Sequence, residues 1–285
     1  MTRFKQHTDL PPEIVKKKLN EFFAEDCIES DITTSSTQKK GHVVKAVFVA
    51  KESLVFAGKE IINQGFSDCT VHKIVNDGES LNKGDVISII SGNIDIILKK
   101  ERVVLNIIQR LSGIASTTFK LSQITKKYNI ELLDTRKTTP GLRMFEKFAV
   151  ATGGGVNHRF SLKDAVMIKD NHLIGHPNIL TVTKRAKALN PNKDVQIEVD
   201  TSDQLDIALT SEATSLLLDN FKPEVLPGVL EKIRNHPKGA NMYIELSGGI
   251  TADTLQDFCI KGVSGISMGA LTHNIKSKDI SLDIK

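Results

Sequence analysis

The spacing of apolar residues changes twice in the first third of the chain. Apolar residues recur at helical spacing from Ile14 to Phe23, directly after two prolines, and this predicts a helix. Between Gly41 and Asn93 the apolar runs become short and are separated by turn residues, which is typical of strands. The four predicted strands are residues 43–50, 53–57, 71–75 and 86–91. We therefore expect the first domain to be rich in β-sheet.

A long helical pattern follows these strands. It runs from about Ile94 to Tyr128, and the Ser112-Gly113 pair interrupts it with residues that favour a helix less than their neighbours do. We therefore predict that the helix breaks near residue 113, and we place the joint between two domains at that point.

Strand-like and helical patterns alternate in the rest of the chain. Six short apolar runs are predicted strands: residues 130–133, 165–168, 195–199, 215–218, 242–246 and 265–268. The helical patterns between them include residues 180–189, 202–209, 224–234 and 252–260. This alternation is typical of parallel βα units with strands buried on both faces. Because a standard βα barrel needs eight units, we predict an incomplete or irregular barrel.

Composition and charge exclude several classes of protein. The 285 residues include 38 Lys and Arg against 34 Asp and Glu, and a net charge of +4 is too small for a strongly basic nucleic-acid binder. Cys27, Cys69 and Cys259 form no Cys-x-x-Cys pair, so neither a zinc site nor a disulfide framework is indicated. Residues 1–10 are polar, and no apolar run approaches the roughly 18 residues of a membrane span. We expect a cytoplasmic protein without a signal peptide.

Polar or small residues follow all six strands predicted for the second domain. The stretches are residues 134–137, 169–172, 198–200, 219–220, 247–249 and 269–270. The carboxyl ends of parallel strands meet at one face of a βα barrel, and that face carries the active site. The last two stretches are glycine-rich, and loops at those positions often bind phosphate through backbone N–H groups. The pattern predicts a site for a phosphate-bearing ligand.

Cationic side chains lie close to these strand ends in the sequence. They are Arg136, Lys137, His158, Arg159 and Lys169. Arg binds a carboxylate or phosphate with two parallel hydrogen bonds, while Lys supplies a compact charge. Each charged hydrogen bond contributes roughly 1.5–3 kcal/mol, against about 0–1 kcal/mol for a surface ion pair. Several cations that converge therefore predict a small polyanionic ligand.

Two acidic residues follow later strands. Glu198 and Asp219 could bind a metal ion or ribose hydroxyls, or could stabilise a developing positive charge. They are too few to predict a dedicated protein cage for a metal ion. A Mg²⁺ ion held mainly by substrate phosphates is the favoured interpretation.

Two motifs of high specificity identify a resemblance. They read Asp134-Thr-Arg-Lys-Thr138 and Gly153-Gly-Gly-Val-Asn-His-Arg159. With them the sequence resembles the quinolinate phosphoribosyltransferases over nearly the whole chain. The further matching stretches are residues 31–34, 101–115, 168–172, 198–201, 218–220, 247–251 and 269–273.

The resemblance implies a mixed α/β fold with two domains. An N-terminal α/β sandwich domain would span residues 1–113, joined by the tail 275–285, and an incomplete α/β barrel would span residues 114–274. The resemblance also implies a homodimer in which the sandwich domain of one subunit caps the barrel of the other. It leaves open whether dimers assemble further into hexamers.

The resemblance further implies an enzyme of NAD biosynthesis. It would transfer the phosphoribosyl group of 5-phosphoribosyl 1-diphosphate to quinolinate, with Mg²⁺, and release diphosphate and CO₂ with nicotinate mononucleotide. Lys137, Glu198 and Asp219 match catalytic positions, and Arg102 matches an arginine that crosses the dimer interface. The implied substrate-binding residues are Arg102, Thr135, Arg136, Lys137, His158, Arg159, Lys169, Glu198, Asp219, Ser247, Gly248, Gly249, Gly269, Ala270 and Leu271.

Three residues depart from the family pattern. Ser30 stands where Gly is usual, and we expect only a local change of turn. Leu246 replaces a small residue before the 247–249 loop, where it could narrow the phosphate site. Asn274 stands where Ser is common.

Two other functions remain open from the residues. One is a related phosphoribosyltransferase of the same fold that acts on another acid, although Arg102 and the 135–137 run favour a dicarboxylate. The other is a non-catalytic module that senses phosphate or nucleotide, which would bind without turnover and has no use for so many cations.

Overall fold

An antiparallel sheet forms from the early strands and the last one in the computed structural model, which describes residues 2–39, 41–175 and 178–285. The strands are β1 Val43–Ala50, β2 Leu54–Val55, β3 Thr70–Ile74, β4 Ser80–Leu81, β5 Val86–Asn93 and β12 Ile280–Ile284. Four of them form the sheet in the order β12-β1-β5-β3, and β2 and β4 form a separate pair. The early strands confirm the predicted sheet-rich region. The register of β1 on β12 places Ala46 opposite Ile284.

Helices pack with this sheet in a unit that we call the sandwich unit, formed by residues 7–119, 139–154 and 271–285. The helices are α1 Pro12–Glu25, α2 Ile32–Thr37, α3 Lys59–Gly65, most of α4 Ile94–Lys126, α5 Arg143–Thr152 and most of α10 Ala270–His273. Pro12 is the first residue of α1, where a missing N–H costs nothing. Asp31 caps α2 by accepting hydrogen bonds from the N–H groups of Thr33 and Thr34. Before that cap, Ser30 ends a 3-10 turn, Ile28–Ser30.

Helix α4 is continuous through residue 113, so the predicted break is wrong. The Ser112 hydroxyl donates to the carbonyl of Ala57 and accepts from its N–H group, which places the small polar residue against a neighbouring segment. A Cβ atom on Gly113 would lie 2.4 Å from the carbonyl oxygen of Lys276. The pair therefore permits close packing on the helix surface, and that contact outweighs its low helix propensity.

A six-stranded parallel sheet forms the second unit, which we call the barrel unit. It comprises residues 2–6, 120–138 and 155–270. The strands are β6 Glu131–Leu133, β7 Val166–Ile168, β8 Val195–Val199, β9 Ser215–Asp219, β10 Tyr243–Ser247 and β11 Gly265–Ser267, in the order β6-β11-β10-β9-β8-β7. Leu246 pairs with Leu218 and Ile266, and all three are buried. The strands confirm the predicted parallel βα units.

Helices connect most of these strands. They are α6 Asp170–Leu173, α7 Ile179–Leu189, α8 Ser202–Thr210 and α9 Leu226–Asn235, with a 3-10 turn at Gly239–Asn241. The predicted helix at residues 252–260 is wrong, since only the 3-10 turn Leu255–Phe258 forms there. The hydroxyls of Thr251 and Thr254 accept hydrogen bonds from each other's N–H groups, and such local bonds compete with a helix.

The barrel is left incomplete between β6 and β7, and an irregular segment lies there. Val156 forms a parallel bridge with Leu133 of β6. Three residues further on, the Arg159 side chain donates a hydrogen bond to the carbonyl of Ala165, next to β7. This mixed α/β architecture agrees with the predicted fold class. Among the described residues, no helix is both long and apolar enough to cross a bilayer.

The two units divide the chain differently from the predicted domains. Residues 139–154, with α5, belong to the sandwich unit although the sequence analysis assigned them to the barrel. Residues 2–6 belong to the barrel unit, although the predicted N-terminal domain included them.

Candidate functional site

The six parallel strands place their carboxyl ends at one edge of the barrel sheet. Ser247 at the end of β10 is opposite Asp219 at the end of β9, and Ser267 of β11 is opposite Leu133 of β6. The residues that follow each strand therefore share this edge, as the strand order requires. Of the fifteen predicted site residues, all but Arg102 and Leu271 belong to the barrel unit.

The turn after β6 presents the first two cations. The Thr135 hydroxyl accepts a hydrogen bond of 2.9 Å from the N–H group of Lys137, which fixes the turn. The Lys137 side chain is exposed, and Arg136 is half-buried. The Nε atom of Arg136 is buried and has no hydrogen-bond partner among the described residues. Since an unsatisfied buried donor costs about 1–3 kcal/mol, this guanidinium is suited to an anionic ligand.

The loop after the bridge at Val156 carries the next two predicted cations, His158 and Arg159. Asp134 is fully buried, and its carboxylate accepts from the backbone N–H of His158 and from the Asn157 amide, at 2.8 and 2.7 Å. His158 and Arg159 are 5% and 7% exposed. The predicted cations of this loop are therefore buried in the barrel unit and are not surface groups.

The His158 ring is oriented by two contacts. Its Nδ1 atom accepts from the N–H group of Arg159 at 2.7 Å, and its Nε2 atom lies 3.1 Å from a carboxylate oxygen of Glu245. Burial alone would raise the pKa of Glu245, but His158, Gln196 and Ser267 outweigh it and lower that pKa to about 2. Glu245 is therefore ionised, and its carboxylate lies at the Nε2 edge of the His158 ring.

The positive charge of Arg136 acts on the pKa of Arg159. Burial lowers the pKa of Arg159, and the Arg136 charge lowers it further, while Asp164 and Glu245 oppose the change. An anionic ligand beside these two guanidinium groups would relieve their repulsion.

An acidic cluster lies at the carboxyl ends of β8 and β9. Lys169 forms an ion pair with Glu198. Carboxylate oxygens of Glu198, Asp200 and Asp219 lie within 4.8 Å of one another. Burial raises the pKa of Glu198, the Lys169 contact lowers it, and the charges of Asp219 and Asp200 raise it again. Three oxygen ligands at this spacing suit a hard divalent cation. The structure thus adds Asp200 to the two acids predicted from the sequence, Glu198 and Asp219.

The loop after β10 packs tightly against the loop after β9. A Cβ atom on Gly248 would lie 2.3 Å from the Asn220 amide oxygen, and φ is +92° there, so no other residue fits. Gly249 has a φ of +63° and open space beside it, which leaves room for a ligand. Leu246 is buried on the sheet face opposite to Ser247, so it does not narrow this loop as expected.

Of the four remaining predicted residues, two follow β11 at the same edge and two belong to the other unit. Gly269 and Ala270 follow β11 in the barrel unit, while Leu271 is buried in the sandwich unit. Arg102 is exposed on α4 in the sandwich unit, where it lines a cavity of about 350 Å³. The same cavity is lined by Phe22, Arg110 and Phe145.

Three acidic residues of the site were not among the predicted site residues. Asp134 and Asp200 lie inside the predicted stretches 134–137 and 198–200. Only neighbouring residues in those stretches were predicted to belong to the site. Glu245 stands in the middle of an apolar strand, Tyr-Ile-Glu-Leu-Ser. A charged residue at a fully buried strand position is rare unless it is paired, and that signal could have identified Glu245.

Family models and curated relatives match this chain over most of its length. Residues 31–112 match the model of the quinolinate phosphoribosyl transferase N-terminal domain, and residues 114–283 match that of its C-terminal domain. A protein of Bacillus subtilis (strain 168), named a probable nicotinate-nucleotide pyrophosphorylase (carboxylating), is 44% identical over 277 residues. The match covers 95% of this chain and 93% of that protein.

Solved structures agree with the fold. The nicotinate-nucleotide pyrophosphorylase of Francisella tularensis superposes with a TM-score of 0.91 at 33% identity, covering 99% of this chain and all of that one. A structure from Streptococcus pyogenes superposes with a TM-score of 0.89 at 34% identity, covering 98% of this chain and 99% of the other.

Proposed function

This chain belongs to the quinolinate phosphoribosyltransferase family, and on that premise we propose which of its residues carry the reaction. The enzyme transfers the phosphoribosyl group of 5-phosphoribosyl 1-diphosphate to quinolinate in NAD biosynthesis. Its products are nicotinate mononucleotide, diphosphate and CO₂. The observation that carries the assignment of the site is the buried Nε atom of Arg136, which lacks a partner among the described residues at the carboxyl end of β6.

Quinolinate binds to the cations at the strand ends. Arg136 and Arg159 hold one carboxylate between them, and Lys137 supplies a charge to the other. The His158 ring forms one wall, held in place by Glu245. This arrangement turns the ring nitrogen toward C1 of the ribose, and such positioning is a large contribution to catalysis.

Phosphoribosyl transfer also needs groups that stabilise the positive charge that develops on the ribose. The bond from C1 to the diphosphate oxygen breaks as the bond from C1 to the ring nitrogen forms, and positive charge develops on the ribose. Glu198 and Asp219 stabilise that charge and bind ribose hydroxyls, while Lys169 neutralises Glu198 in the free enzyme.

Mg²⁺ is the proposed metal ion. The oxygen set of Glu198, Asp200 and Asp219 fits a hard divalent cation, which would arrive with the diphosphate and neutralise the leaving group's charge. The chain's own acids then have two tasks, to hold the ion and to face the ribose.

The ribose 5-phosphate is assigned to the glycine-rich loops. The open side of Gly249 lets the backbone approach a phosphate, and Ser247 adds a hydroxyl. The turn at Gly269 and Ala270 completes the proposed phosphate site.

Decarboxylation follows without an organic cofactor. Once the ring nitrogen carries a bond to C1 it is cationic. The bond to the adjacent carboxylate breaks, CO₂ leaves, and the electron pair that remains on the ring carbon is stabilised by the neighbouring charge. A proton then replaces the carboxylate.

The proposed assembly is a homodimer in the cytoplasm. Arg102 is exposed on α4, and we assign it to the active site of the partner subunit. The three cysteines are free thiols, which is compatible with a reducing compartment.

The acceptor tests this proposal against the rival of the same fold. Purified enzyme with 5-phosphoribosyl 1-diphosphate and Mg²⁺ should release diphosphate with quinolinate, and nicotinate should support release at least about tenfold less well, because it offers one carboxylate fewer to the cations. Equal rates with both acids would contradict the assignment to a dicarboxylate.

A further inference from the structure

Residues 3–6 run beneath the loop that carries His158. The Gln6 amide accepts a hydrogen bond of 2.8 Å from the Asn157 N–H group and donates one of 3.2 Å to the Asn157 carbonyl. Gln6 therefore pairs with both backbone groups of Asn157, as the backbone of a neighbouring strand would. Phe4 stacks on the His158 ring, with ring centroids 4.7 Å apart. Residues 3–6 and the loop belong to the same unit.

Arg3 enters the polar interior of the barrel unit. Its guanidinium forms an ion pair with Asp194, donates to the Ser215 hydroxyl at 2.9 Å and lies over the Tyr243 ring, 4.3 Å from the centroid. A second nitrogen lies 3.6 Å from Glu245, on the oxygen that also faces His158 Nε2. Arg3 therefore balances the buried carboxylate that orients His158.

We propose that residues 3–6 are a positioning element of the active site, which holds Asn157 and the His158 ring so that the neighbouring Arg159 meets a quinolinate carboxylate in register. The inference rests on the proposed role of the His158–Arg159 loop. None of residues 3–6 need touch substrate. They act through Asn157, His158 and Glu245.

The physical reason is that the loop is held from two sides. On the side of β6, Val156 forms a backbone bridge with Leu133. Asp134 holds the loop from one side, through the Asn157 amide and the His158 N–H group. Gln6→Ala removes two hydrogen bonds to the backbone of Asn157, and the loop can then shift. A displacement of about 1 Å at a binding group costs on the order of 10²-fold in rate.

The test uses Gln6→Ala in the full-length enzyme, with Lys5→Ala as the matched control, since Lys5 is exposed in the same segment. Gln6→Ala should lower kcat/KM for quinolinate by about 10- to 100-fold, and should leave KM for 5-phosphoribosyl 1-diphosphate within about twofold. Phe4→Leu should act in the same direction. Lys5→Ala should behave as wild type.

A double-mutant cycle separates positioning from mere stability. In a His158→Ala background the loss of kcat/KM caused by Gln6→Ala should be smaller than in the wild-type background, because one of the two groups that it positions is gone. The same fold-loss in both backgrounds, or a lower Tm with unchanged kcat/KM, would overturn the inference. If His158→Ala by itself leaves kcat/KM unchanged, the proposed role of His158 fails, and the inference fails with it.

Discussion

Replacing Arg136 with alanine should reduce kcat/KM for quinolinate by about 10²- to 10⁴-fold. The guanidinium is proposed to donate two charged hydrogen bonds to a carboxylate, each contributing roughly 1.5–3 kcal/mol, and about 1.4 kcal/mol corresponds to a tenfold change. Arg136→Lys should recover only part of the loss, since an ammonium cannot make the paired contact.

The stability of this variant should not fall with its activity. Arg136 repels Arg159 in the free protein, and its Nε atom is buried without a partner among the described residues. Arg136→Ala removes both costs, so Tm should stay the same or rise. Arg185→Ala, an exposed arginine on α7, is the matched control and should leave both quantities unchanged. A large fall in Tm together with unchanged KM for quinolinate would contradict the binding role.

Mixed dimers of two inactive variants should regain activity. Arg102→Ala and Lys137→Ala should each reduce kcat/KM by about 10²-fold or more, because each removes a charge aimed at the substrates. If Arg102 acts across the interface, a mixed dimer combines both defects in one site and leaves the other site intact. An equal, randomly paired mixture should then have about a quarter of the wild-type activity.

The control pairs two residues of the same turn. Arg136→Ala mixed with Lys137→Ala should regain nothing, since every site in such a dimer carries one defect. Differently tagged subunits show that mixed dimers have formed. No recovery in the Arg102 and Lys137 mixture, with mixed dimers present, would place both residues in one subunit's site.

The parallel strands could be predicted from the sequence because burial on both faces leaves an uninterrupted apolar run. Val195–Val199 was predicted to the residue, and the other five strands to within about one residue at each end. Their common direction then placed the polar residues that follow them along one edge. The incomplete barrel followed from the number of such runs.

Contacts between distant residues could not be predicted in the same way. Gly113 resembles a helix breaker in the local pattern, but it is used for close packing with Lys276, more than a hundred residues later. Residues 252–260 have a helical spacing, but the threonine pair at 251 and 254 forms a turn of its own.

The side chains that hold the candidate site in place were the hardest to predict from the sequence. Arg3 is an ordinary charge near one end of the chain, and only the structure brings it to Glu245 and Asp194. His158 and Arg159 were expected as cations that face a ligand, and the structure adds that protein groups hold them from several sides. Side chains that orient other side chains leave no spacing pattern along the chain.

The reaction is most directly tested by counting its two small products. With quinolinate labelled in the carboxylate next to the ring nitrogen, together with 5-phosphoribosyl 1-diphosphate and Mg²⁺, the enzyme should release labelled CO₂ and diphosphate in a ratio of about one to one, because both leave in one catalytic cycle. The ratio should stay the same as Arg136→Ala slows the reaction. Diphosphate without CO₂, or binding of both substrates without either product, would contradict the account.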